Sequence, residues 1–129
     1  MQEQNSELLS AIATCRVETI AGGLNAEYAE LATSLEGDPT HFINNGKPSM
    51  YKTVANCLST WSEAELKEYR QLQLSIQGFT LAQLETPEHM QSMVAFSKTE
   101  LGKKKIAIDR ALDPIIDEIR ENIMNYFTY

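Results

Sequence analysis

The sequence predicts an all-α protein, a single-domain bundle of five to seven helices over residues 1–129. Three observations carry that expectation. Ile108, Leu112, Ile115, Ile119, Ile123 and Tyr126 recur at gaps of four, three, four, four and three, which at about 100° per residue puts them in one band on a helix. Two successive segments open with capping boxes, Ser62 with Glu65 and Thr80 with Gln83. No stretch sustains the period-2 alternation of a half-buried strand.

The first helix should begin near Ser6, with Leu8, Ile12 and Cys15 in one stripe and Leu9, Ala13 and Val17 beside it. Gly22-Gly23 is expected to weaken or end it, because glycine costs about 1 kcal/mol relative to alanine inside a helix. Asn25 can cap a second helix carrying Tyr28, Leu31 and Leu35, with Gly37 as its terminating residue. Asp38 to Ser49 reads as the longest irregular stretch, since Asp38-Pro39, Asn44-Asn45-Gly46 and Pro48 are turn signals. Ser49 then caps a third helix with Met50, Val54, Cys57 and Leu58 inward.

Trp61 before the first capping box and Leu66 after it are spaced as a hydrophobic staple, and that helix should run to about Gln77 and stop at Gly78. Phe79 and Leu84 repeat the device around Thr80. Thr86-Pro87 opens the next helix, which Met90, Met93, Val94 and Phe96 make apolar. Thr99 caps the last and longest helix, which Leu101 joins to the isoleucine band. Pro114 lacks an amide hydrogen, and because the band stays in phase on both sides, a kink within one helix is expected there.

The totals exclude several classes. Only 6 Gly and 4 Pro among 129 residues, with 43% hydrophobic, argue against extensive disorder. A net charge of −7 argues against nucleic acid as the main ligand, since phosphate binding needs clustered Lys and Arg, and permits a basic protein partner. No apolar run approaches the roughly 18 residues that would cross a membrane. No leader with a small-residue cleavage site is visible, so Met1 begins either a cytosolic chain or a mature exported one whose leader has been replaced. Cys15 and Cys57 could form one disulfide after export, or serve as two small buried apolar residues.

Phe96-Ser97-Lys98-Thr99-Glu100-Leu101-Gly102-Lys103-Lys104 resembles the signature of a bacterial family of uncharacterised helical proteins, a domain of unknown function, which reads Phe-Tyr-x-Ser/Thr-x-x-Gly-x-Lys. Phe96, Thr99, Gly102 and Lys104 match, and Ser97 stands where the family has Tyr. The resemblance covers residues 80–121; it implies periplasmic export and brings no activity with it. Read without the family, Phe96 is core, Thr99 is a cap, and Gly102 lets a neighbouring helix approach closely. Lys103, Lys104 and Lys105 near a helix N-terminus are electrostatically misplaced, either a solvated cluster or a contact for an anion.

Catalytic signatures are missing: there is no Gly-rich phosphate loop, no Gly-x-Ser-x-Gly and no His-Glu-x-x-His, and neither His41 nor His89 has a second ligand at metal spacing. Nothing in the sequence calls for a cofactor. Asp109, Asp113, Asp117 and Glu121 step by four along the last helix and read as one acidic face, too few for a cation's oxygen shell but suited to a basic protein. The leading expectation is therefore a non-enzymatic interaction module, of the kind of a small acidic bacterial inhibitor or immunity protein, using those four carboxylates. The alternative is a helical binding protein with an interhelical pocket for an apolar small molecule or lipid. A hydrolase would need titratable groups converging in a cleft.

Overall fold

A computed structural model of the chain describes residues 2–30 and 39–127. Within them lie six helices and no strand: α1 (Gln2–Glu27), α2 (Thr40–Leu58), α3 (Glu63–Gln77), α4 (Leu81–Leu84), α5 (Pro87–Ser97) and α6 (Glu100–Phe127). Leu31, Leu35 and Gly37, read above as a second helix and its end, and Asp38, read as the start of the irregular stretch, lie outside the described residues.

The buried core draws on four helices. From α1 come Ile12, Ala13, Val17, Ala21 and Leu24; from α2, Ile43, Met50, Val54 and Leu58; from α3, Leu66 and Tyr69; from α6, Leu101, Ile108, Leu112, Ile119 and Ile123. Helix α1 packs along both α2 and α3, and α2 packs along α6. Helices α3 and α6 do not approach each other in that way. Long charged side chains span the remaining distances: Lys104 of α6 pairs with Glu65 of α3, Arg16 of α1 with Asp109 of α6 at 2.6 Å, and Arg120 of α6 with Glu27 of α1 through two bonds of 3.1 and 3.2 Å.

The C-terminal helix behaves as the isoleucine spacing requires, with one exception. Ile108, Leu112, Ile119 and Ile123 are buried and Ile115 is half-buried, but Tyr126 is exposed, because it lies beyond Ile123, the last core residue of the helix. Its ring instead meets Phe42 at 5.5 Å between centroids. The helix is continuous across Pro114, whose ring points to the exposed side.

Two expected interruptions do not occur. Helix α1 runs through Gly22-Gly23 to Glu27, and Asn25 lies inside it rather than capping a new helix. Val17, Ala21, Leu24 and Tyr28 continue one buried stripe at gaps of four, three and four, while both glycines face open space. Burial of that stripe outweighs the propensity cost of two glycines. The stretch around Asn44-Asn45-Gly46 and Pro48 is likewise helical, so α2 starts at Thr40 and Ser49 caps nothing. Ile43 and Met50 face the core, Asn44 and Asn45 face outward, and Gly46 meets α6: a β-carbon there would lie 2.4 Å from Ile119 Cδ1. Gly46 therefore serves helix packing rather than a turn. His41, placed in a loop above, sits in the first turn of α2 beside Asn45.

The local capping signals hold, whereas the second staple is not buried: Phe79 is exposed and sets its ring against His89. Ser62 Oγ accepts from the Glu65 amide while the Glu65 carboxylate accepts from the Ser62 amide, and Trp61 and Leu66 are both buried. Thr80 and Gln83 form the second box, and Thr86 accepts from the His89 amide with Pro87 at the first helical position.

Candidate functional site

The side of the molecule where α3 and α6 stay apart contains a cavity of about 440 Å³, within the usual range for small-molecule sites. Four helices wall it. Helix α1 gives Cys15, Arg16 and Thr19; α3 gives Tyr69, Leu72, Gln73, Ile76 and Gln77; α5 gives Met93, Phe96 and Ser97; α6 gives Gly102, Lys105 and Ile106.

Helix α5 forms the outer wall of the cavity, which stays partly open to solvent, and the motif residues seat it. The Phe96 carbonyl accepts from the Thr99 amide at 3.0 Å and the Thr99 hydroxyl at 2.6 Å. The same hydroxyl oxygen accepts from the Gly102 amide at 3.0 Å, capping α6 as expected. Gly102 is buried against that carbonyl: a β-carbon would stand 1.9 Å from Phe96 O and 2.8 Å from Ser97 Cα. The spacing Phe96-x-x-Thr99-x-x-Gly102 thus makes a tight joint between α5 and α6, with Gly102 admitting the end of α5 to the backbone of α6. Lys104, the fourth motif residue, holds Glu65.

The rest of α5 departs from expectation. None of its residues is fully buried. Met90, Val94 and Leu81 are more than half exposed and Met124 is about half exposed, so the methionines at 90 and 124 are not core filler. A short helix packed chiefly on α6 buries one narrow side, and that side, Met93 and Phe96, is the cavity wall.

Polar groups at the cavity centre on Asp109. Its Oδ1 accepts from Arg16 Nη2 at 2.6 Å and its Oδ2 from Lys105 Nζ at 3.0 Å. Asp109 is therefore a half-buried counterion and no part of an open acidic face. The reason is geometric: each four-residue step on an α-helix overshoots a full turn by about 40°. The column of four carboxylates winds around α6, so Asp113, Asp117 and Glu121 reach solvent while Asp109 turns toward α1. Each lysine of the run has a carboxylate partner, Lys103 with Glu100 at the surface, Lys104 with Glu65 and Lys105 with Asp109, and of the three only Lys105 lines the cavity.

Two cations share one carboxylate, which leaves one positive charge in surplus at the cavity wall. Arg16 Nε is buried and has no hydrogen-bond partner. Burial pushes the Tyr69 hydroxyl above its ordinary 10.0, so at neutral pH it is uncharged. Gln73 is engaged with the Ile12 carbonyl and Arg70, and Gln77 donates to Cys15 Sγ at 3.3 Å. Cys15 and Cys57 are free thiols, so the disulfide expected as one possibility is not formed: Cys15 belongs to the cavity wall, whereas Cys57 packs against the core from α2.

Titratable groups do converge here, but as charge and hydrogen-bond partners. The one carboxylate is held by two cations, and neither His41 nor His89 lines the cavity to serve Cys15 as a base. Among the described residues no three His, Cys, Asp or Glu side chains converge on a metal position, and no helix is long and apolar enough to cross a membrane. Sequence reasoning missed Arg16 and Tyr69 as site residues; Lys105 entered it only as one of three lysines open to an anion, and its four-residue spacing from Asp109 is a further local signal. Comparison with protein-family models, curated proteins and solved structures returns no match for this chain.

Proposed function

We propose that the protein is a non-enzymatic binding protein that holds a small, largely apolar molecule in the cavity between α1, α3, α5 and α6. The observation that carries this reading is the cavity itself: about 440 Å³, walled by Leu72, Ile76, Met93, Phe96 and Ile106, with few polar groups at fixed positions. A void of that size within a 129-residue chain sacrifices dispersion contacts that closer packing of α3 on α6 would recover. A bound apolar molecule restores them. The acidic face of α6 supports a protein partner less well, since Asp109 is withdrawn from it and Arg110 and Arg120 interleave with Asp113, Asp117 and Glu121.

The test is uptake of a neutral apolar fluorophore such as Nile red by the full chain, compared with Ile106→Trp, which fills the cavity. Saturable uptake by the wild type, lost in a variant of unchanged helicity, is the expected result. Equal uptake by both would mean that dye binds the exposed apolar side chains of α4 and α5, and the reading would fall.

A further inference from the structure

We infer that the ligand of this cavity is a monoanionic amphiphile, an aliphatic chain ending in a carboxylate, with its head group seated on Arg16 and Lys105. This rests on the proposed binding function and goes beyond it by assigning the charge and position of the head group. Three observations converge.

The first is the charge count. Arg16 and Lys105 line the cavity and share Asp109, the carboxylate that pairs with both, so the wall carries a surplus of one positive charge. The groups facing them from the other elements do not cancel it. Thr19 of α1, Tyr69, Gln73 and Gln77 of α3, and Ser97 of α5 are all neutral at physiological pH. The chain as a whole carries −7, so the sign is locally inverted at this one apolar recess. One negative charge completes the set, whereas a dianion or a cation leaves charge uncompensated in a half-dry site.

The second is donor capacity. Arg16 has five guanidinium N–H hydrogens and the described contacts use one; its Nε is buried, which leaves the Nη groups as the donors for a ligand. Lys105 has three ammonium hydrogens and the described contacts use one. Guanidinium and ammonium groups bind a carboxylate through charge-assisted hydrogen bonds, and they have no acceptor to offer an alcohol or amine donor.

The third is the rest of the wall. Leu72, Ile76, Met93 and Ile106 are unbranched or branched aliphatics, joined by two aromatics, Phe96 and Tyr69. Such a lining accepts a flexible hydrocarbon chain, and Met93 adapts to its shape.

The experiment is calorimetric titration of the full chain at neutral pH with decanoate and, separately, with decanol, both below micelle formation. The ratio of the two affinities is the readout. The acid should bind at least about tenfold more tightly than the alcohol, with the preference falling as salt rises. Arg16→Gln and Lys105→Gln should bring the ratio toward one. Asp109→Asn should raise it, because the substitution frees both cations for the ligand. That opposite sign protects the test against a variant that merely unfolds. If decanol binds as tightly as decanoate in the wild type, the anionic head group is wrong and the apolar cavity reading survives. Where neither ligand binds and Nile red uptake is also absent, the cavity reading itself fails.

Discussion

Replacing Gly102 with alanine isolates the joint on which the cavity depends. The new β-carbon would lie 1.9 Å from the Phe96 carbonyl oxygen, 2.7 Å from its carbon and 2.8 Å from Ser97 Cα, all backbone atoms that cannot rotate away. The Phe96 carbonyl is also fixed by its bonds from Thr99. Relief therefore requires α5 to move as a body relative to α6. Overpacking of this kind costs about 1–3 kcal/mol, and the helix-propensity gain of alanine over glycine returns at most about 1 kcal/mol. The movement is limited in cost because α5 has no fully buried residue to lose. A net loss of about 1 kcal/mol corresponds to a Tm lower by roughly 4 °C in a chain of this size. Thermal denaturation followed by circular dichroism measures it, and Nile red uptake should fall in parallel as Met93 and Phe96 leave the wall. The control is Gly22→Ala, the same chemical change at a helical site with nothing within 4 Å, which should raise Tm by roughly 4 °C. A Gly102→Ala protein melting at or above the wild-type temperature would refute the argument.

Other perturbations read separate parts of the same structure. Ser62→Ala removes the acceptor for the Glu65 amide and should cost about 1 kcal/mol in chemical denaturation. The bond from Lys104, followed by the Ser62 amide, holds the Glu65 carboxyl below its ordinary 4.5. A depressed folded-state pKa contributes stability that is present above pH 4.5 and is lost as pH falls through the lower folded value. Wild type should therefore exceed Glu65→Gln in Tm at neutral pH, and the gap should close on acidification below that range. Cys15 lines the cavity and Cys57 does not, so decanoate should slow alkylation of Cys15 by maleimide while leaving Cys57 unaffected, as peptide mapping would show.

The sequence disclosed those parts of the fold whose signals are short in range. The boxes at Ser62 and Thr80, the Thr86-Pro87 start and the Thr99 cap each need four residues and one or two hydrogen bonds, and all four are present. The failures are cases where a local breaker met a long-range apolar stripe. Gly22-Gly23 and Asn44-Asn45-Gly46 carry strong local preferences, but Ala21, Leu24 and Tyr28 on one helix and Ile43, Met50 and Val54 on the other keep their phase across them. A stripe that remains in register on both sides of a breaker argues for continuity. The rule holds at Pro114, where α6 runs on, and equally at the other two places. The exposure of Met90 and Val94 was not legible, because apolar residues on a short helix do not reveal how much of it a neighbour covers.

Asp109 shows why the site lay beyond sequence reading. In the linear chain it is the first of four evenly spaced acids, and the spacing invites one face and one role. On a helix the spacing drifts by about 40° per step, so the first and last members differ by about 120°. The arc is enough to carry Asp109 partly out of solvent and between Arg16, distant by 93 residues, and Lys105. Its two bonds change what those cations can do. Without Asp109, two positive charges would stand in an apolar recess and oppose folding; with it, one charge is stabilised and the other remains unmatched. The recess exists because α3 and α6 do not close on each other, and the charge exists because one carboxylate serves two donors. Neither fact has a signature in any window of the sequence, since each depends on which helices come to lie side by side.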